Sequence, residues 1–124
     1  MHLARLKRLQ TALAQANFDG AVTIAGPNLF YLTGLTFHLS ERPTVGFFPA
    51  HGHPVLVAGT LEESKVVSGQ PYPLRAFYYS DSDGPAAAFR EAAQVLRFGK
   101  ARLGVESRRM RVMELRLVED QTGQ

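Results

Sequence analysis

The sequence of 124 residues contains no cysteine and no tryptophan. Without cysteine, the chain has neither a disulfide framework nor a thiolate metal site. That composition suits a reducing cytoplasm, where we expect the protein to work. No apolar run approaches the length of about 18 residues that a membrane span needs. Because Met1 leads straight into a charged segment, we expect neither a signal peptide nor a membrane partner.

The sequence also lacks the short motifs that carry chemistry. It has no Gly-x-Ser-x-Gly nucleophile elbow. It has no phosphate-binding Gly-x-x-x-x-Gly-Lys and no Gly-x-Gly-x-x-Gly after a strand. Glu62 and Glu63 are adjacent on a predicted helix and point in different directions, so they make a poor acid–base pair. We therefore expect no catalytic residue in this chain.

A His-x-His pair is the nearest approach to a metal site. On a strand, the spacing of His51 and His53 would place both rings on one side, but prolines flank this pair at a predicted hairpin tip. Zinc needs three or four converging ligands, and only His38 and Glu41 suggest themselves as further ones. We predict an exposed turn and no metal bound by this chain, with a metal site as the alternative.

An acidic segment resembles the start of a calcium loop. Asp81-Ser82-Asp83-Gly84 places oxygens at alternate positions, but Pro85 and Ala92 stand where further ligands are required. We predict a turn instead, in which Asp83 caps the following helix.

Size and charge indicate one domain, residues 1–124, of ordinary composition. An apolar fraction of 45% is typical of globular proteins. A chain of this size buries roughly two-thirds of its unfolded surface, which suffices for a core. The formal net charge is +3, and the basic residues gather near the end without the aromatic side chains typical of nucleic-acid binding. We interpret these residues as an exposed helix face or a subunit contact; they are Arg108, Arg109, Arg111 and Arg116.

The hydrophobic pattern predicts a helix, a strand, a short helix, a hairpin, a helix, a strand, a helix, a strand and a last helix. Leucines at helical spacing mark the first helix, from Leu3 to about Asn17. Strands alternating with helices predict an α/β fold, with a mixed sheet between helices on both faces. The first strand is a continuous apolar run, which indicates burial on both faces. The predicted strands span residues 21–25, 44–48, 55–58, 74–79 and 102–105.

Local signals predict where the later helices begin and end. Thr60 and Glu63 have capping-box spacing. Gly99 is expected to end one helix, and Ser107 to cap the last. The apolar residues that the last helix should bury are Met110, Met113 and Leu117.

An aromatic box, residues 28–34 with the sequence Asn-Leu-Phe-Tyr-Leu-Thr-Gly, is the most informative stretch. Its leucine spacing fits one short helix that Pro27 begins and Gly34 ends. We expect Asn28 to cap this helix and Tyr31 to be a core aromatic with a bonded hydroxyl. A polar loop follows, and loops on a rigid scaffold often carry function.

The pattern carried by Asn28, Tyr31 and Gly34, Asn-x-x-Tyr-Leu-Thr-Gly, resembles the N-terminal domain of the creatinase/prolidase/aminopeptidase P family. Other features follow in the family's order, including Arg42 before a hairpin. Leu103-Gly104-Val105-Glu106 is similar to the family's Ile-Gly-Val-Glu strand. The resemblance covers nearly the whole chain. It implies a three-layer α/β/α domain of ribonuclease-H-like arrangement.

The resemblance also implies a function. In that family the peptidase chemistry belongs to a separate C-terminal domain, in which carboxylates and a histidine hold two divalent ions that activate a water. None of that region is found in residues 1–124, so we expect a non-catalytic domain of an Xaa-Pro dipeptidase or aminopeptidase. The hydrolase's manganese, cobalt or zinc ions would be bound elsewhere. The domain is expected to support a homo-oligomer, such as a dimer, and to wall the substrate pocket of a catalytic domain.

Particular residues are implied as substrate contacts. In the creatinase branch an arginine at the spacing of Arg42 binds substrate across a subunit interface, where a guanidinium can pair with a carboxylate or carbonyl. Phe37 and His38 are expected to line the same wall. Ser40 stands where that branch has an aromatic residue, which favours an Xaa-Pro peptide over creatine.

Structural alternatives stay open. Arg42 has a second interpretation as a strand-entry charge paired with Glu41 or Glu62. For Glu106, at a strand end, we favour a salt bridge or a helix-start contact over a functional carboxylate. The whole chain has a second interpretation as a dimeric module that recognises an acidic ligand or nucleic acid through residues 108–116, although we expect no nucleic-acid partner.

Overall fold

The computed structural model describes residues 1–123, which form a five-stranded sheet with helices on both faces. The helices are α1 (His2–Gln15), α2 (Pro27–Thr33), α3 (Glu63–Gly69), α4 (Ala86–Leu96) and α5 (Val112–Thr122). The strands are β1 (Gly20–Ile24), β2 (Val45–Pro49), β3 (Val55–Gly59), β4 (Arg75–Tyr79) and β5 (Leu103–Val105). This order confirms the predicted one. Among these residues no helix combines the length and apolar character that a bilayer-crossing segment requires.

The sheet is mixed, with the strand order β4-β3-β2-β1-β5. β2 pairs antiparallel with β1 and β3, and the outer pairs β3–β4 and β1–β5 are parallel. In this register Phe47 lies between Val22 and Val55. The predicted hairpin is confirmed as β2–β3. The apolar run of β1 is confirmed as an interior strand, because β2 and β5 flank it.

Alternate side chains of the sheet supply two separate cores. Phe47 packs edge-to-face on Phe89 of α4, with ring centroids 6.0 Å apart, in a core that α4 and α5 complete. Phe48 belongs to the other core, with Leu6 of α1 and Leu29 of α2. Both Phe47 and Phe48 are 1% exposed. Full burial of two adjacent strand residues requires helices on both faces of the sheet, so the three-layer α/β prediction is confirmed.

Gly46 lets α2 lie close to the sheet. A Cβ at position 46 would lie 2.8 Å from a methyl group of Leu29 and 2.9 Å from the ring of Phe48. Gly34 ends α2 as predicted, with φ of 74° in the left-handed region. Gly46 therefore allows the aromatic box to pack closely on the sheet, and Gly34 determines where the polar loop begins.

Two predicted helix ends differ from the structure. Thr60 opens a 3-10 turn, Thr60–Glu62, and its hydroxyl donates to the carbonyl of Tyr79, 3.0 Å away, instead of capping α3. The end of α4 is set by Arg97, which takes the left-handed conformation with φ of 58°. Gly99 therefore lies beyond the helix end that it was expected to mark.

The helix α5 begins later than the Ser107 signal predicts, with Arg111 at its N-cap position and the carboxylate of Glu114 reaching back to it. The backbone N–H and the Nε of Arg111 donate to Oε1 of Glu114 over 3.2 and 3.0 Å, and an ion pair joins the guanidinium to the other carboxylate oxygen. Glu114 is 0% exposed. The predicted apolar face is wrong in part: Met113 is exposed, and Met110 precedes the helix. The residues that α5 buries are Glu114, Val118 and Thr122.

Candidate functional site

A cavity of about 420 Å³ opens at one edge of the sheet. It lies where β3 and β4 end and where the loop 34–44 leads into β2. The edge at the carboxyl ends of parallel strands is where open α/β sheets usually bind ligands. We name this feature the Arg42 cavity; its lining includes His38, Ser40, Arg42, Thr60, Tyr79 and Asp81.

Arg42 and Asp81 form a two-pronged ion pair in this cavity. Nε of Arg42 lies 2.7 Å from Oδ1 of Asp81, and Nη2 lies 2.9 Å from Oδ2. The hydrogen bond from Arg42 lowers the pKa of Asp81, and the same bond raises the pKa of Arg42. The side chains are 45% and 65% exposed, so the pair orients the guanidinium more than it stabilises the fold. In the alternative interpretation of Arg42 as a strand-entry charge, the partners Glu41 and Glu62 are wrong, because Arg42 pairs with Asp81 and Glu62 pairs with Lys65 over 2.8 Å.

The backbone around Arg42 is braced by buried and half-buried hydroxyls. The hydroxyl of Tyr79 donates to the carbonyl of Pro43, 2.6 Å away, and burial raises the pKa of Tyr79 to about 12. Oγ of Ser40 accepts from the backbone N–H of Arg42 over 3.1 Å. The last residue of β4 therefore holds the loop that presents the guanidinium.

The structure brings two of the three predicted contact residues together. Arg42 and His38 line the cavity. Phe37 is half-buried against the core under α1, α2 and α3. Nζ of Lys65 lies 4.9 Å above its ring and donates to the carbonyl of Thr36 over 2.7 Å. Substrate contact stays a prediction for all three residues.

Two residues of the aromatic box differ from expectation. Nδ2 of Asn28 donates to Oε2 of Glu106 over 2.7 Å, and α2 has no side-chain cap. The other oxygen of Glu106 accepts from the backbone N–H of Ile24 over 2.6 Å, so Glu106 links the end of β1 to the start of α2. Tyr31 is 47% exposed. The core role predicted for Tyr31 is therefore wrong, and the guanidinium of Arg5 stacks on its ring, 4.1 Å from the centroid.

The structure gives a test of whether this chain could hold the family's metal ions. Within residues 1–123, no three His, Cys, Asp or Glu side chains are grouped so that they could hold a metal ion. His51 and His53 are exposed in the turn between β2 and β3. The segment 81–84 is a turn, as predicted, but Asp83 does not cap α4. The donor set does not fit a two-ion centre.

The basic residues near the end do not act as one cluster. Arg108 and Arg109 are exposed, whereas Arg111 is paired with Glu114. Arg116 is paired with Glu119, with Nη1 and Oε1 2.9 Å apart. Neutralisation of Arg111 and Arg116 by carboxylates reduces the charge available to a nucleic acid.

Asp81 is the site residue that the sequence interpretation missed. The local sequence around Asp81 indicates a turn and resembles the start of a calcium loop, and nothing in it points to Arg42. The available signal was topological: in a sheet where β2 runs against β3 and β4, the start of β2 and the end of β4 lie at the same edge. An arginine before one strand and an aspartate after the other are thereby brought together.

The three layers, the mixed sheet and the arginine-lined edge define an α/β domain with a ligand-sized cavity at its strand ends. A family model described as the Creatinase/Prolidase N-terminal domain matches residues 5–123. The chain belongs to this family.

Solved structures of dipeptidases are similar to the chain. Dipeptidase PepE from Mycobacterium ulcerans is 26% identical with a TM-score of 0.81, covering 98% of this chain and 32% of that protein. A dipeptidase from Pyrococcus horikoshii is 32% identical with a TM-score of 0.80, and the chain again spans 32% of its length. A proline dipeptidase structure from Streptococcus pneumoniae is 25% identical with a TM-score of 0.82, covering 95% of this chain and 84% of that one. A comparison with curated protein sequences found no match.

Proposed function

We propose that this domain is the non-catalytic part of an Xaa-Pro dipeptidase or aminopeptidase and walls the substrate pocket of a metal-dependent catalytic domain. The orientation of Arg42 is the observation that carries the proposal. Asp81 uses Nε and Nη2 of the guanidinium and leaves Nη1 for a further acceptor. The terminal carboxylate of a dipeptide is such an acceptor. Similarity to dipeptidases at 26% and 32% identity supports a peptide substrate.

In this proposal the chain's own residues bind and orient. Arg42 pairs with the carboxylate of the substrate, and His38 on the same wall offers a hydrogen-bonding ring nitrogen. The hydrolytic step would belong to the catalytic domain, where two divalent ions, if bound, would supply an activated water. Contacts with this wall would hold the substrate in a fixed orientation, and an oriented substrate reacts faster than a loosely held one.

We also propose that the surface beside the Arg42 cavity is covered by a catalytic domain or a second subunit in a cytoplasmic homo-oligomer. Leu61 lines the cavity and is 83% exposed. Leu39, between two lining residues, is 56% exposed. Covering these leucines would remove apolar surface from water, which favours association.

Titration of the labelled protein with the dipeptide Ala-Pro, followed by NMR, tests the peptide-binding role. We expect saturable shifts at His38, Arg42 and Asp81. Arg42→Gln should abolish them, and Arg42→Lys should weaken binding about tenfold, because lysine keeps the charge but loses the fork. Arg90→Gln is the matched control, since Arg90 is an exposed arginine on α4.

Two results would contradict the proposal. Absence of shifts around the Arg42 cavity at every Ala-Pro concentration reached would remove the peptide-binding role. Hydrolysis of Ala-Pro by the purified chain with Mn²⁺ would show that the domain is itself catalytic.

A further inference from the structure

A second cavity lies between α1 and α2, above β1. Its volume is about 410 Å³, and none of the residues of the Arg42 cavity lines it. On each helix the lining residues are spaced by three and four positions, so they share one face. The lining residues from the helices are Arg5, Arg8, Leu9, Asn28, Tyr31 and Leu32. We name this feature the α1–α2 cavity.

The cavity has an apolar interior of small-molecule size. Leu9 and Leu32 supply its walls, and Ala21 of β1 belongs to its floor. Leu32 is 7% exposed and packs in the core under the same helices. Small-molecule sites are typically concave, largely apolar and roughly 300–1,000 Å³ in volume, with a few polar groups that fix orientation. The α1–α2 cavity meets that description.

Two of the polar side chains that line the cavity, Arg5 and Arg8, are cationic, and Thr23, Asn28 and Tyr31 are uncharged polar residues. Within residues 1–123, neither Arg5 nor Arg8 forms an ion pair with a carboxylate. Arg5 donates to the carbonyl of Tyr31 over 2.9 Å, and Nη2 of Arg8 donates to the Tyr31 hydroxyl over 3.4 Å. Glu106 does not line the cavity, but its carboxylate accepts from the lining residue Asn28 and from the backbone N–H of Ile24. Two guanidinium groups therefore face the cavity without a neutralising partner.

Tyr31 reports the positive potential at this place. The hydrogen bond from Arg8 has the largest effect and lowers the pKa of the Tyr31 phenol; desolvation comes next and raises this pKa, and the charges of Arg5 and Arg8 lower it again, so that the net shift is downward. The same potential favours any anion that enters the cavity.

We propose that the α1–α2 cavity binds a small organic carboxylate whose charged group pairs with Arg5 and Arg8 and whose apolar body packs on Leu9 and Leu32. Guanidinium groups are suited to this task because they offer several N–H donors to a carboxylate. The site is independent of the peptide-binding role, since it uses other residues at another place in the fold.

Calorimetric titration with 3-phenylpropionate, and with its neutral amide 3-phenylpropionamide, tests the proposal. We expect saturable binding of the acid and binding at least tenfold weaker for the amide, which has the same apolar body but no charge. Arg8→Gln should weaken binding of the acid about tenfold. Lys7→Gln is the matched control, because it removes the same charge from the neighbouring exposed position outside the cavity lining. Circular dichroism checks that both variants fold.

An alkaline titration of phenol absorbance supplies a second readout. Burial raises the pKa of the other three tyrosines, to about 12 for Tyr72 and Tyr79 and by a smaller step for Tyr78. The first phenol to ionise should therefore be Tyr31. Saturating 3-phenylpropionate should raise its pKa, because an added anion opposes phenolate formation.

The proposal is overturned by any of three binding results or by one titration result. The binding results are absence of saturable binding of the acid, equal binding of acid and amide, and a folded Arg8→Gln variant with unchanged affinity. An unchanged Tyr31 pKa at saturation would place the bound acid elsewhere and would equally overturn it.

Discussion

The hydroxyl of Thr23 is buried in the sheet and has no hydrogen-bond partner among the residues that the structure describes. Thr23 is 5% exposed and lies on β1 opposite Gly46. Thr33 differs, because its equally buried hydroxyl donates to the carbonyl of Leu29 over 2.7 Å. An unsatisfied buried hydroxyl carries the cost of lost hydration without a compensating bond.

Thr23→Val should therefore raise the free energy of unfolding by about 1 kcal/mol, because valine keeps the shape and removes the unsatisfied group. Urea denaturation measures this change. Thr33→Val is the matched control and should lower the free energy by about 1 kcal/mol, since it deletes a bonded hydroxyl. A loss of stability in Thr23→Val would show that its hydroxyl is bonded in solution.

Helix α5 carries two arginine–glutamate pairs at the same spacing in different surroundings. Glu114 is 0% exposed beside Arg111, whereas the side chains of Arg116 and Glu119 are 69% and 33% exposed. Solvent screens the outer pair, so it contributes little. A carboxylate left alone in the interior would be far more costly than one left alone at the surface.

Arg111→Ala should cost about 3 kcal/mol of unfolding free energy, because it leaves the carboxylate of Glu114 buried and unpaired. Arg116→Ala should cost less than about 1 kcal/mol. Urea denaturation of both variants at neutral pH compares the pairs on one helix. Equal, small losses would mean that Glu114 is hydrated or neutral in the native protein.

The order of helices and strands followed from the sequence because the signals are local: apolar runs, helical spacing, and glycine or proline at turns. The cap assigned to Thr60 failed because its hydroxyl bonds Tyr79, a residue of the neighbouring strand. His38 and Arg42 are implied as substrate contacts by the family resemblance, and the structure places both in the lining of one cavity. Asp81 was missed because it is 39 residues from Arg42 and meets it only through strand order. Tyr31 was misassigned because its partners, Arg5 and Arg8, lie on another helix.

The molecule as a whole depends on the burial of both faces of its sheet. Phe47 and Phe48 are sequence neighbours, yet each is 1% exposed in a separate core. The core around Phe47 contains α4 and α5, and the core around Phe48 contains α1, α2 and α3. Each helical layer therefore protects one of the two rings from water.

Phe47→Ala and Phe48→Ala should each cost about 3–5 kcal/mol of unfolding free energy, because both leave a large cavity in a packed core. Urea denaturation at low temperature measures both. Phe30→Ala is the control, since Phe30 is 50% exposed, and it should cost well under half as much. Tolerance of one core substitution would indicate a sheet that is covered on a single face in solution.

Glu106 fastens the C-terminal part of the chain to β1 and α2 more firmly than the short strand β5 alone would. β5 pairs with β1 over three residues. The carboxylate of Glu106, which follows β5, accepts hydrogen bonds from Asn28 and Ile24, which lie 78 and 82 residues earlier in the sequence. If the tail, meaning the segment from Glu106 onward, came away from the sheet, Ile24 and Asn28 would lose their hydrogen-bond acceptor. The aromatic box and the tail are expected to open and reclose as one cooperative unit, so stability at either terminus is shared by both.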